Sequence, residues 1–411
     1  MNKKGIGILL AMVLLVIAGV VFGYVQHKDK EIQFSSTEYA YNPESNFYLA
    51  KDGLYYVQDE IAQYYDMESK RKIKLGSNDG DAYYKQPVGI LFYNNTFYCI
   101  SADFDAAKNG IPKNTLYQCD CDGNNRKKLY EFPTGGVESM YVYNGKLYYT
   151  FFNDILKNED HEEEWNGSLK SINSLRVFDL KTKKEKILYE YRQTGEQRNG
   201  SLQICPSDNR DKIYCLYRYY DGDQEDRDAE DYLPKFFRSE FLCYDLKSKK
   251  MEKCFTQLDK SSFVAKGCIY HDYLYCTRID YTTKEDDMIL ERYPADGGKK
   301  EELIKYGEHG YAALFENIFF IYNDTSNVLY DVKQDMCYRK TSKDMLRVSA
   351  FSSDGKMVAL DDGDYSDLKK GDTYTKSRFV PKVITMDEFL TAFEPFEGGN
   401  FQGVQYTPVK N

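Results

Sequence analysis

Two acidic clusters hold the residues of this 411-residue chain best equipped for chemistry. The first, His161-Glu162-Glu163-Glu164-Trp165, sets three carboxylates beside the only tryptophan; the second carries Asp221, Asp223, Glu225, Asp226 and Asp228 in one short run. Carboxylates at this density can hold a hard cation, since calcium takes about six to eight oxygen ligands. They can also draw in a cationic partner by complementary potential. Gly222 stands at the second place of its run, where an EF-hand loop needs glycine at the sixth, so the calcium match is poor. A plainer reading competes with both, because long loops carry charge simply to stay hydrated. Trp165 is open to two readings, a contact residue of the kind enriched in binding hot spots or an anchor for its own loop. The candidate ligand-binding set is Glu162, Glu163, Glu164, Trp165, Asp221, Asp223, Asp226 and Asp228, with calcium as the alternative occupant and no residue assigned as a catalyst or metal ligand.

Catalytic signatures are missing from the sequence. The four histidines, His27, His161, His271 and His309, lack the Cys or His neighbours of a zinc site, and His161 has no second histidine at the i+4 position. There is neither a Gly-x-Ser-x-Gly elbow nor a P-loop.

The elements that must position the acidic clusters repeat along the chain. Short apolar segments, LYYV, FYCI, LYYT, IYCL, LYCT, IFFI and MVAL, begin at residues 54, 97, 147, 213, 274, 318 and 357. Each follows a turn such as Asn144-Gly145 or Asp354-Gly355, and another short apolar strand precedes that turn. A second hairpin completes each of the first six units, with a corner of the form FDLKTKK (residues 178–184) or YDLKSKK (residues 244–250). Its aspartate is placed to bond downstream backbone, and its lysines keep an edge strand soluble. Four strands recurring every 40 to 65 residues or so make a β-propeller of about seven four-stranded blades, with six or eight as alternatives. The last unit lacks the corner and ends in FVPKVITMDEFLTAF (residues 379–393), part strand and part helix; a strand from Glu31 to Tyr39 is expected to close the ring. Length varies between the second and third strands, and the stretches 102–110, 157–167, 220–232 and 280–288 are expected as acidic loops on one face, where binding residues of rigid scaffolds sit.

KLYYTF (residues 146–151), YLYCTR (residues 273–278) and LYQCDCDGNNRKKL (residues 116–129) resemble the repeat of YWTD-type propellers. That class includes lipoprotein receptors and related bacterial membrane-tethered propellers. FSSDGKMVAL (residues 351–360) is similar to TolB-like repeats. The resemblance implies a propeller and is silent about its ligand. It departs where the YWTD aspartate would stand, since Phe151 and Arg278 hold that place.

The address is written in the first residues. Lys3 and Lys4 precede an uncharged apolar run from Gly5 to Val25, long enough at about 1.5 Å per residue to cross a layer of about 30 Å. An uncleaved signal-anchor is expected, with the body exported, although a cleaved signal peptide stays open. The division read from the sequence is a cytoplasmic N-terminus (1–4), a transmembrane segment (5–25), a juxtamembrane linker (26–33), the propeller (34–397) and a tail (398–411). The net charge of −10 argues against both nucleic acid and anionic headgroups as partners of the exported part. Of the ten cysteines, Cys99, Cys215 and Cys276 occupy the slot held by Tyr56, Tyr149 and Phe320 in sister repeats, a packing position suited to free thiols. Bridges Cys205–Cys215 and Cys268–Cys276 stay open at this stage. The function expected is an extracytoplasmic binding or scaffolding module for a protein, peptide or cell-surface polymer. The alternative is a propeller hydrolase or lyase acting on cell-surface glycans, whose carboxylates would meet across the central channel.

Overall fold

The computed structural model describes residues 39–42, 47–49, 53–58, 61–66, 69–74, 87–94, 96–108, 111–120, 127–133, 135–154, 171–192, 197–221, 237–255, 263–280, 287–295, 298–306, 311–315, 317–322, 326–341, 347–352, 355–363, 379–395 and 404–405. The chain enters with β1 (Tyr39–Asn42) and then lays down seven antiparallel sheets in succession. Blade 1 holds β2 (Phe47–Leu49), β3 (Gly53–Gln58), β4 (Ile61–Asp66) and β5 (Arg71–Lys74). Blade 2 holds β6 (Pro87–Tyr93), β7 (Thr96–Lys108), β8 (Ile111–Asp120) and β9 (Lys127–Glu131). Blade 3 follows with β10 (Gly136–Tyr143), β11 (Lys146–Asp154), β12 (Ser171–Asp179) and β13 (Lys184–Arg192). Blade 4 comprises β14 (Gln197–Cys205), β15 (Lys212–Asp221), β16 (Phe237–Asp245) and β17 (Lys250–Cys254). Blade 5 is built from β18 (Phe263–Tyr270), β19 (Tyr273–Asp280), β20 (Asp287–Pro294) and β21 (Glu301–Tyr306), and blade 6 from β22 (Tyr311–Phe315), β23 (Ile318–Tyr322), β24 (Ser326–Asp331) and β25 (Met336–Thr341). Blade 7 shows three strands among the described residues, β26 (Val348–Phe351), β27 (Met357–Asp361) and β28 (Pro381–Thr385).

Turn chemistry sets these hairpins. Asn144 and Gly145 both take positive φ (47° and 70°), and so do His271 and Asp272 (50° and 61°), the backbone that joins two right-twisted strands through two residues. The corner aspartates act as the sequence led one to expect. Asp179 accepts from the N–H groups of Lys181 (3.0 Å) and Thr182 (2.7 Å), and Asp245 from those of Lys247 (2.9 Å) and Ser248 (2.6 Å). These donors hold both carboxyls below the usual aspartate range.

First strands of neighbouring blades touch one another, β2 with β6, β6 with β10, β10 with β14, β14 with β18, β18 with β22 and β26 with β2, and therefore ring the axis. The inner strands pack face to face on the next blade, as the buried clusters that join blades 3 and 4, 4 and 5, and 5 and 6 show. Leu49, Leu54 and Tyr56 of blade 1 meet Ala350, Ala359, Phe379 and Val383, so the ring closes by side-chain packing of blade 7 on blade 1. A helix α1 (Met386–Leu390), capped by Thr385 at 3.0 Å from the Glu388 N–H, packs Met386 and Phe389 into the cluster shared by blades 6 and 7. Polar ties cross the joints as well. Asn114 donates to the Gly135 carbonyl at 2.5 Å and Asn173 to that of Gly200 at 3.0 Å, each reaching from a third strand to the next blade.

Three expectations change. Residues 31–38 lie outside the described residues, but Tyr39 does not close blade 7: it belongs to β1, which pairs with β10. Residues 102–108 of the first expected loop continue β7, because Ala102 and Asp103 find register partners in Asn114 and Lys113 and lengthen the hairpin. The two candidate disulfides fail on register. Cys205 stands opposite Tyr214 while Cys215 stands opposite Ile204, so the two thiols point to opposite faces of blade 4; Cys268 and Cys276 are separated in the same way, opposite Tyr275 and Gly267. All four are free and buried. The apolar run 5–25 lies outside the described residues, among which no helix is long and apolar enough to cross a membrane.

Candidate ligand-binding face

Alternating strand direction gives the ring two unlike faces. One, the turn face, collects the tight turns between first and second strands and the Asp-Lys corners between third and fourth. The other, the loop face, collects every connection from a second strand to a third. Blades 3, 4 and 5 send out residues 155–170, 222–236 and 281–286 there, from the ends of β11, β15 and β19. These blades are consecutive and packed together, so the strand ends that precede the three connections stand on neighbouring blades of one face.

Of the candidate ligand set only Asp221 belongs to the described residues, as the last residue of β15, in register with Gln197. Glu162, Glu163, Glu164, Trp165, Asp223, Asp226 and Asp228 lie outside them. Among the described residues no group of three or more His, Cys, Asp or Glu is placed to hold a metal ion.

Several buried or half-buried carboxylates of the strands are occupied by the fold itself, Glu240 and Glu291 within third strands and Glu185 beside the blade 3 corner. In blade 5, Arg278 bonds Asp280 and Glu291, each at 3.2 Å, and Glu291 also takes the Tyr293 hydroxyl and the Lys300 ammonium at 3.4 Å. Glu291 has no exposed surface and the Arg278 side chain only 6%. Burial alone would lower the pKa of Arg278, but Glu291 and Asp280 outweigh it and raise the value. In blade 4, Glu240 accepts from Lys253 at 2.7 Å, Tyr219 at 3.1 Å and Tyr191 of blade 3 at 3.4 Å. Blade 3 carries the same device, Glu185 receiving Arg176 at 3.2 Å together with the hydroxyls of Tyr130 (2.8 Å) and Tyr149. Three blades thus neutralise a buried or half-buried acid with an arginine or lysine and one or more tyrosines. Sequence reasoning missed these networks. A visible signal existed, an Arg or Lys and a Glu falling on paired strands within one blade.

The positions where the YWTD aspartate would stand have structural work of another kind. Phe151 lies under the Arg176 guanidinium, 4.3 Å from carbon to ring centroid, and Arg278 anchors the blade 5 network. A shallow cleft lined by Tyr141, Ile204, Ser207 and Arg210 opens on the turn face, opposite the acidic loops.

No protein-family model matches the sequence, and no curated protein matches it. Solved structures resemble it in fold. An oligogalacturonate lyase from Vibrio parahaemolyticus is similar at a TM-score of 0.47 and 12% identity, covering 84% of this chain and 88% of that one. TolB from Acinetobacter baumannii gives 0.38 and 13%, covering 86% and 79%. Dipeptidyl peptidase 4 from Porphyromonas gingivalis gives 0.43 and 12% over 80% of this chain, which spans only 50% of that protein's length. The fold itself rests on the sheet order: the chain is an all-β, seven-bladed β-propeller.

Proposed function

We propose that the protein is a binding or scaffolding module, held by its N-terminal segment to the cell membrane in a single pass with the propeller on the extracytoplasmic side. Its ligand surface is the loop face, and its ligand a protein, peptide or cell-surface polymer bearing positive charge. The observation that carries this reading is that β11, β15 and β19 of the adjacent blades 3, 4 and 5 end on one face, each followed by an acidic stretch of sequence. Because Glu240 and Glu291 are matched within the fold, the negative charge left for a partner is that of the connections, whose sequence carries Glu162, Glu163, Glu164, Trp165, Asp223, Asp226 and Asp228. Like charges gathered on one face steer an opposite-charged partner and keep wrong ones away. A propeller hydrolase or lyase would gather carboxylates at the axis, and β1 running beside β10 favours the binder over that alternative. Kinship with YWTD-type repeats is part of the same proposal and rests on the strand and corner motifs alone.

The test neutralises those six acids to Gln or Asn in the full chain and follows a lysine-rich peptide through Trp165 fluorescence. Weaker binding, with the wild-type affinity falling between about 0.1 M and about 1 M salt as screening shortens from about 10 Å to about 3 Å, is the expected result. Unchanged peptide affinity, together with unchanged capture in a pull-down from membrane extract, would remove the loop face as the binding surface.

A further inference from the structure

The course of β1 decides which face of the ring looks at the membrane. First strands line the axis, and β1 pairs along the free inner edge of β10 while also touching β6, so it stands in the central channel. The pairing is antiparallel, with Tyr39 opposite Tyr143 and Asn42 opposite Met140. Since β10 ends in the Asn144-Gly145 turn, the Tyr39 end of β1 lies at the turn face and the Asn42 end deeper toward the loop face. The N-terminal end of β1 is therefore at the turn face. Residues 26–38, between the apolar run and β1, reach at most about 45 Å when fully extended.

Charge on that face has the matching sign. The corners of blades 3 and 4 expose Lys181, Lys183, Lys184, Lys247, Lys249 and Lys250. The acids among them are engaged locally, Asp179 and Asp245 on corner N–H groups and Asp211 on Lys247 at 2.6 Å. His271 and Asp272 share the face, as do Asp208 and Arg210, whose partners are the His271 N–H (2.9 Å) and the Ser207 carbonyl (2.6 Å). The corners of blades 3 and 4 are thus basic on the face from which β1 enters, although the net charge is negative, while the sequence that follows β11, β15 and β19 at the opposite face is acidic.

We propose that the turn face lies against an anionic bilayer surface, with the corner lysines of blades 3 and 4 on the headgroups and the acidic loop face directed away from the membrane. This rests on the reading of residues 5–25 as a membrane anchor, and on the opposite face being the ligand surface only for its biological use. Basic residues close to a bilayer are drawn to anionic lipid, and the attraction fades within a Debye length.

The single tryptophan makes the orientation measurable. Trp165 belongs to the connection that follows the loop-face end of β11; Trp165→Phe combined with Ser248→Trp moves the reporter to the exposed blade 4 corner. Each full-length chain is reconstituted in phosphatidylcholine vesicles with and without phosphatidylglycerol, carrying a lipid with a headgroup nitroxide quencher. A circular dichroism spectrum matching wild type confirms that each variant is folded. The reporter at position 248 should be quenched in the anionic vesicles, and that quenching should be lost at about 1 M salt, where the Debye length is about 3 Å. It should also be lost when Lys181, Lys183, Lys247 and Lys249 are changed to Gln, while Trp165 stays unquenched throughout. Quenching of Trp165 equal to that at position 248 overturns the orientation. So does quenching indifferent to lipid charge, or none at position 248 in a chain that resists extraction with alkaline carbonate. If carbonate strips the chain from vesicles of both compositions, the anchor reading falls, and the orientation with it.

Discussion

Glu291→Ala should be among the most damaging single substitutions in the ring. Glu291 is fully buried and receives Arg278 at 3.2 Å, the Tyr293 hydroxyl and Lys300 at 3.4 Å. At 3.2 Å and an effective dielectric constant of about 20, the Arg278 pair alone is worth about 5 kcal/mol of gross Coulomb attraction. Removing the carboxylate leaves a guanidinium with 6% of its side chain exposed and only Asp280, itself 23% exposed, to balance it. Stranding a buried partner costs about 3–5 kcal/mol, and the net effect belongs in that range. Replacing both members of the buried pair with apolar groups in Arg278→Met/Glu291→Leu should recover most of the loss, because the pair's attraction roughly balances its desolvation. The assay is urea unfolding of the full chain in detergent, followed by far-UV circular dichroism, with the midpoint compared at constant slope. A Glu291→Ala midpoint within about 0.5 kcal/mol of wild type would show that water reaches the pair, and a double variant as unstable as the single one would refute the argument from desolvation.

Other perturbations follow from the same packing. Gly267→Ala places a Cβ 2.5 Å from Phe241 Cζ across the blade 4–5 joint, so it should cost about 1–3 kcal/mol, with Phe241→Leu relieving part of it in a double-mutant cycle of thermal melts. Asn173→Ala removes the tie to the Gly200 carbonyl and should lower stability by about 0.5–1.5 kcal/mol in urea titration. Burial pushes the Cys205 and Cys337 thiols up to about 12, so iodoacetamide at pH 8 should leave both unmodified in the folded chain and alkylate them in urea; rapid labelling of the native protein would contradict their burial. Burial also raises Tyr56 and Tyr148 to about 12. A group held neutral in the fold stabilises it fully below its unfolded pKa and loses that contribution as pH rises through the folded one, so stability should hold to about pH 9 and fall toward pH 12. An alkaline titration of the melting temperature that stayed flat would count against it.

The ring was legible because its information is local and repeated. A strand pattern of period two, turns such as Asn144-Gly145 and corners such as Asp179 to Lys184 recur often enough that one doubtful copy matters little. Even the failure of the seventh corner carried meaning, since Thr385 caps α1 where the other blades turn into a fourth strand. What the repeat does not encode was harder to see. Whether Cys205 and Cys215 can bridge depends on register, which a shift of one residue reverses, and proximity of two strands says nothing about it. The acid networks around Glu185, Glu240 and Glu291 join residues from different strands whose meeting depends on the same register. Asn114 and Asn173 read as ordinary strand residues until the neighbouring blade supplies Gly135 and Gly200.

The segment β1 shows why function was the least legible layer. Tyr39-Ala40-Tyr41-Asn42 has no turn signal, no clear partner in sequence and only four residues, yet it fixes the face from which the chain enters the ring. The repeat makes a turn face and a loop face, and only a segment outside the repeat can decide which of them the N-terminal end of β1 meets. Pairing with β10 rather than with blade 7 takes the N-terminal end of that segment to the lysine corners, and the same alternation of strands takes the acidic connections to the other side. Were β1 to pair one strand direction the other way, parallel to β10, the chain would leave through the loop face and any membrane on that side would cover Glu162, Glu163, Glu164 and Trp165. The sense of four backbone pairings therefore decides whether the acidic loops can meet a partner in solution.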